Sequence, residues 1–186
     1  MRNIILASQS PRRKLLLQWA EVPFEVLVVP TDEYFPVELS FENAAIYIAR
    51  NKALAVAHLN KEKIPVLAAD TIVVCNNKIF GKPSDREEAV NILNILSGNT
   101  HEVISGVVIL HNEEEISFTE TTTVCFHSIS QEQISFYVDK YKPYDKAGAY
   151  AIQEWIGVVG IKAITGDFYN VMGLPISRVV QELKGL

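Results

Sequence analysis

An aspartate interrupts the most apolar stretch of this chain: Asp70 stands between Val66-Leu67-Ala68-Ala69 and Thr71-Ile72-Val73-Val74. An ionised carboxylate in such surroundings must meet a cation, a metal or several donors, or else take up a proton. Two readings follow: an aspartate at a strand end paired with Lys or Arg, or the acid of a metal-assisted phosphoryl site facing several basic groups. Cations of the required kind occur in two other places. Ser8-Gln9-Ser10-Pro11-Arg12-Arg13-Lys14 sets three of them in the first turn of a helix, where the macrodipole is already positive and acids are favoured. An anion docked there makes sense of it, with backbone N–H groups, serine hydroxyls and guanidinium forks converging on phosphate oxygens; the alternative is a solvated basic end. Lys52 falls amid Ala45, Ile48, Ala49, Val56 and Leu59 on a helical wheel, while Arg50 lies with Asn43 and Lys61 on the polar side. Such a lysine either snorkels past the core or meets an anion in a cleft.

Other candidates are weaker singly. Gly81-Lys82-Pro83 places a lysine in a rigid loop, and Glu33 follows a strand end. Asp145-Lys146-Ala147-Gly148-Ala149-Tyr150 and Gly166-Asp167-Phe168-Tyr169-Asn170-Val171-Met172-Gly173 have the small, polar composition of binding loops, or of turns that pack aromatics on a sheet. The sequence contains no G-x-x-x-x-G-K-[ST] loop, no G-x-G-x-x-G fingerprint and no G-x-S-x-G elbow. Its four histidines (His58, His101, His111 and His127) lack zinc-like spacing with each other or with Cys75 and Cys125. Both cysteines sit in strand-like apolar runs and read as buried thiols of a reducing cytoplasm.

These residues need strands and helices to bring them together. A strand near Asn3 to Ala7 leads into a helix opening at Ser10, with Pro11 first and Leu15, Leu16 and Trp19 as its apolar stripe. Phe24 to Val29 reads as a strand ended by Pro30, and Ser40 caps a helix to about Asn60. Pro65 to Val74 is a buried strand, turned at Asn76-Asn77 into Lys78 to Phe80. Ser84 and Glu87 suggest a capping box for a helix stopped by Gly98. His101 to Leu110 and Ile116 to His127 are long strands, and Ser130 with Gln133 caps a helix to about Tyr141. Ala147 to Ile152 and Val159 to Ile164 read as strands, and Pro175 opens a last helix ending at Lys184-Gly185. The order describes one α/β domain over residues 1–186 with a mixed sheet.

Composition agrees. The 186 residues are 48% hydrophobic and 21% charged, globular values, and their length allows one domain pinched into two lobes. No apolar run is long enough to span a bilayer. A net charge of -5, from 17 Lys+Arg against 22 Asp+Glu, argues against duplex nucleic-acid binding.

Taken in order, seven segments resemble the Maf family of nucleoside triphosphate pyrophosphatases. They are Leu6-Ala7-Ser8-Gln9-Ser10-Pro11-Arg12-Arg13, Ala49-Arg50-Asn51-Lys52-Ala53, Ala69-Asp70-Thr71-Ile72-Val73, Gly81-Lys82-Pro83, Ser97-Gly98 with His101, Asp145 to Tyr150, and Gly166 to Pro175. The resemblance implies an inosine-triphosphatase-like (Maf/Ham1) fold, a mixed twisted sheet flanked by helices with two lobes around a central cleft. It implies Asp70 as proton acceptor, Ser8, Arg13, Lys52 and Lys82 as phosphate-binding positions, and Glu33 with Asp70 as holders of a divalent metal, Mg²⁺ or Mn²⁺. Arg12, Thr71 and Gln153 match positions that set base preference in the subgroup acting on dTTP and UTP. A sister subgroup preferring methylated GTP carries other residues there. The implied protein is a cytoplasmic homodimer that binds nucleoside triphosphate and neither duplex nucleic acid nor membrane. The alternatives are a cell-division (septum formation) inhibitor acting through a protein partner, and a purine-directed triphosphatase on the same fold.

Overall fold

The computed structural model describes residues 3–186. Strand β1 (Ile4–Leu6) is buried throughout and pairs in parallel with β2 (Phe24–Val26) and β3 (Val66–Cys75). Between β1 and β2 runs helix α1 (Pro11–Trp19), with Pro11 in its first turn and the Ser10 hydroxyl accepting from the Arg13 N–H. The expected stripe of Leu15, Leu16 and Trp19 is corrected: the buried face is Arg13, Leu16 and Leu17, and Trp19 is 57% exposed. β2 stops at Val26 rather than Val29, because its partner β1 ends opposite, at Leu6.

Helix α2 (Phe41–Ala57) connects β2 to β3, capped by Ser40. Its buried positions are almost all small: Ala44, Ala45, Ala49 and Ala53, with Ile48 and Val56. Ala49, Ala53 and Val56 join Ile5, Ala7, Val66, Ala68 and Val108 in one core cluster. Small side chains let the helix lie close to the strands, so close that a Cβ on Gly106 would stand 2.4 Å from the Ala45 carbonyl carbon.

From β3 the chain turns at Asn76-Asn77, both at positive φ (51° and 59°), as a type I′ hairpin demands, into β4 (Lys78–Phe80). Helix α3 (Arg86–Leu96) is capped one residue later than expected: Asp85 accepts from the Glu88 N–H, while the Ser84 N–H and hydroxyl both donate to Glu88. β5 (Thr100–His111) and β6 (Glu114–Phe126) are joined by Asn112-Glu113. Helix α4 (Gln131–Tyr141) starts with the expected Ser130/Gln133 capping box.

Two expected strands are corrected. Ala147–Ala149 is a 3₁₀ turn, with Gly148 and Ala149 at φ 69° and 58°. Helix α5 (Trp155–Gly160) occupies the start of the other, and β7 (Ile161–Thr165) begins only at Ile161, antiparallel to β6. Short α6 (Phe168–Met172) and then α7 (Ile176–Lys184) complete the chain, the latter burying Ile176, Val179 and Leu183.

The strand order is β2-β1-β3-β5-β6-β7, with β4 paired to β3, a mixed sheet with helices between its strands as the sequence indicated. The chain divides into two compact units: residues 1–71, 105–120 and 173–186 in the first, and 72–104 and 121–172 in the second. β3, β5 and β6 each contribute residues to both. Among the described residues no helix is long and apolar enough to cross a membrane. Cys75 is buried, Cys125 half-buried, and both are free thiols.

Candidate active site

At the carboxyl end of β1 the chain passes through Ala7 and Ser8 into α1, and Arg13, one turn along, points back to the strand ends. Arg13 is 9% exposed. Its Nε donates to the Gly173 carbonyl at 2.8 Å, one terminal nitrogen to the Ser8 hydroxyl at 3.1 Å, and the other to the Thr71 hydroxyl at 3.1 Å. Ser8 also accepts from the Ser10 N–H at 3.2 Å, which fills both lone pairs and leaves its proton to donate. Thr71 in turn lies 2.8 Å from the Ser105 hydroxyl and 3.3 Å from the Gly173 carbonyl. Ser105 is a residue the sequence reading missed. The signal was there: like Asp70 it is a polar residue inside an apolar strand run, Val103-Ile104-Ser105-Gly106-Val107, and it is fully buried.

Beside Thr71, Asp70 is also 9% exposed. The Lys52 Nζ, carried on α2, donates to Asp70 Oδ1 at 2.7 Å and to Glu33 Oε1 at 2.8 Å. The side chains of Lys52 and Asp70 are 17% and 13% exposed, whereas Glu33 is 51% exposed. Both open readings are thereby sharpened: Lys52 meets anions rather than snorkelling, and Asp70 meets a lysine. Two of the three ammonium protons are engaged by carboxylates and one remains.

The two groups share one electrostatic field. Burial pulls the Arg13 guanidinium below its ordinary pKa, Asp70 and Glu33 push it back up, and Arg12 pushes it down. Ser8, Arg12, Arg13, Glu33, Lys52, Asp70 and Thr71 all belong to the first unit, where Ser8 follows the carboxyl end of β1 and Asp70 and Thr71 stand in the middle of β3, beyond the residues that pair with β1. Lys82 and Gln153 belong to the second unit. Lys82 is exposed in the loop between β4 and α3, and Gln153 is exposed in the turn before α5.

Fold and site define a class: a mixed-sheet α/β protein with an acid-and-cation cluster between the carboxyl end of β1 and the middle of β3. The chain belongs to the Maf family, whose model, described as Maf-like protein, matches residues 3–186. It is 47% identical over 183 residues to the dTTP/UTP pyrophosphatase of Parabacteroides distasonis, covering 98% of this chain and 95% of that one. It is 48% identical over 184 residues to the dTTP/UTP pyrophosphatase of Bacillus cereus, covering 99% and 95%. Among solved structures it is similar to the Staphylococcus aureus Ham1 protein, with 16% identity, 97% and 100% coverage and a TM-score of 0.49.

Proposed function

We propose that this protein hydrolyses dTTP and UTP to the nucleoside monophosphate and pyrophosphate. The observation that carries the chemistry is Asp70, a carboxylate in an apolar strand that accepts from Lys52, which also donates to Glu33. The substrate preference is supported by the dTTP/UTP pyrophosphatases at 47–48% identity.

In the reaction a water oxygen bonds to the α-phosphorus, the bond from that phosphorus to the bridging oxygen of the β-phosphate breaks, and pyrophosphate leaves. Asp70 takes the proton of the attacking water. General-base assistance of this kind is worth about 10²–10⁴-fold, so neutralising the polyanion must supply much of the remainder. Lys52, through its remaining N–H, the Ser8 hydroxyl, Arg12 and Lys82 are the donors for the phosphate chain. Arg13 has three of its five N–H groups engaged within the protein and two left to donate. Thr71, Gln153 and Arg12 read the pyrimidine, and polar readers of this kind reject a mismatched base because their own groups go unpaired.

Glu33 and Asp70 each accept from the Lys52 Nζ through one carboxylate oxygen, at 2.8 and 2.7 Å. These two carboxylates are the hard oxygen donors that would hold Mg²⁺ or Mn²⁺, through lone pairs the ammonium does not occupy, with water and phosphate oxygens filling the other positions of the ion. Bound there, the ion would offset charge on the phosphate chain and act as a Lewis acid.

The test is purified protein with Mg²⁺ or Mn²⁺ and a panel of triphosphates, with monophosphate and diphosphate products separated by chromatography. The expected result is monophosphate plus pyrophosphate, dTTP and UTP far ahead of ATP and GTP, and an Asp70→Asn protein that stays folded with turnover reduced by at least about 10²-fold. Faster turnover of purines would assign the protein to a purine-directed activity, and full activity in Asp70→Asn would remove Asp70 from the chemistry.

A further inference from the structure

Within the second unit, β5 carries His101 into a closed aromatic cluster. His101 is 2% exposed, and its ring meets Phe126 at 5.1 Å and Tyr150 at 5.4 Å, both edge-on, while Phe126 and Tyr150 meet at 5.1 Å. Its Nε2 lies 2.8 Å from the Tyr150 hydroxyl. Its Nδ1 is buried with no hydrogen-bond partner among the described residues. Burial pushes the imidazole pKa down to about 4, so the ring is neutral at neutral pH. A leucine and a phenylalanine would fill the same space with no orphaned nitrogen, and an unpartnered buried polar atom is costly. What the polar pair adds is direction: it fixes the Tyr150 hydroxyl, and with it the backbone that leaves the 3₁₀ turn Ala147–Ala149.

That turn leads to a residue of the proposed reaction. The Gly148 N–H donates to the Gly81 carbonyl at 3.1 Å, and Gly81 immediately precedes Lys82. Gly148, at φ 69°, is pressed against Val73, where a Cβ would come within 2.8 Å of Cγ2. The turn therefore has little freedom to shift, and Pro83, buried behind the exposed Lys82, stiffens the other side of the loop. On its far side the segment is anchored by the Ala151 N–H to the Tyr137 hydroxyl at 3.2 Å. Tyr137 donates in turn to Glu154, whose other oxygen lies 3.5 Å from the Lys146 Nζ.

We propose that His101 and Tyr150 are a positioning pair that sets the Gly81–Lys82 backbone through the Gly148 N–H, and so the affinity of Lys82 for the triphosphate. The inference rests on the reading of Lys82 as a phosphate donor. It is tested by a double-mutant cycle of Tyr150→Phe and Lys82→Met with dTTP, reading KM, kcat and the melting temperature. Tyr150→Phe keeps the ring and deletes only the hydroxyl; KM should rise roughly three- to tenfold, with kcat little changed. Lys82→Met alone should raise KM further, and Tyr150→Phe should add nothing in the Lys82→Met background. A Tyr150→Phe effect that persists in that background, or no KM effect in a folded Tyr150→Phe protein, overturns the positioning role while leaving Lys82 as a phosphate donor. An unchanged KM in Lys82→Met overturns that reading and the positioning role with it. If Tyr150→Phe is unfolded at the assay temperature, His101→Gln takes its place in the same cycle, with the same outcomes.

Discussion

Arg13 holds more of the first unit's site in place than any sequence rule assigns to it. Its planar fork reaches three acceptors in three directions: Gly173, 160 residues away in the chain, Thr71, 58 away, and Ser8, 5 away. Lysine offers a point charge and cannot span those positions from one nitrogen. Arg13→Lys should therefore cost about 1–3 kcal/mol of stability by stranding buried acceptors, and should lower kcat/KM by loosening Ser8 and Thr71 together. Urea unfolding alongside dTTP kinetics checks both; a wild-type midpoint with wild-type kinetics would show that the fork is dispensable. That Asp70 and Lys52 meet opposite charge was legible from sequence because each breaks the pattern of its own element. The roles of Gly173 and Ser105 were not: the Gly173 contact is a backbone carbonyl, and their bonds to Thr71 span 102 and 34 residues.

Helix α2 shows how an element delivers a residue. Lys52 reaches Asp70 and Glu33 because Ala45, Ala49 and Ala53, each fully buried, keep the helix axis close to the sheet, and because Gly106 presents no side chain to it. A methyl at Gly106 would lie 2.4 Å from backbone atoms of both Ala45 and Ile46, so the helix itself must move. Gly106→Ala should cost about 1–3 kcal/mol as overpacking and should also depress dTTP turnover, since Lys52 travels with the helix. A stability loss with unchanged turnover in the folded protein would separate the helix position from the chemistry. The long periodic elements (α2, β3, β5, β6 and α4) were readable from pattern. Residues 147–152 and 155–160 were not, and the reason is close packing by glycine. Gly148 fits only against Val73, and a Cβ on Gly160 would come within 2.9 Å of Ile129 Cδ1. These contacts arise far along the chain and override the strand-like run of Val and Ile.

The second unit also sets how the protein as a whole responds to pH, because it buries His101, Tyr137 and Tyr150 in their neutral forms. His101 has an ordinary pKa of 6.5 and a folded value of about 4. Between those values the unfolded chain binds a proton that the folded chain refuses, so stability falls as pH falls through that window and is fully present above it. The slope is about 1.4 kcal/mol per pH unit for one proton, or about 3 kcal/mol across the window. The tyrosines act in the opposite direction at the alkaline end. Burial raises both phenols above their ordinary 10, with the hydrogen bond to Glu154 adding to the effect on Tyr137. Above pH 10 the unfolded chain therefore loses protons that the folded chain keeps, and stability declines. The buried Cys75 thiol, also raised above its ordinary 9.0, starts the alkaline decline earlier, so denaturant midpoints should form a plateau from about pH 6.5 to about pH 9 with a shoulder falling on each side. His101→Gln should flatten the acid shoulder between about pH 6.5 and pH 5, before the carboxylates titrate. If His101→Gln keeps the wild-type slope there, the proton uptake belongs to another group and the imidazole is not the residue that sets the acid limit.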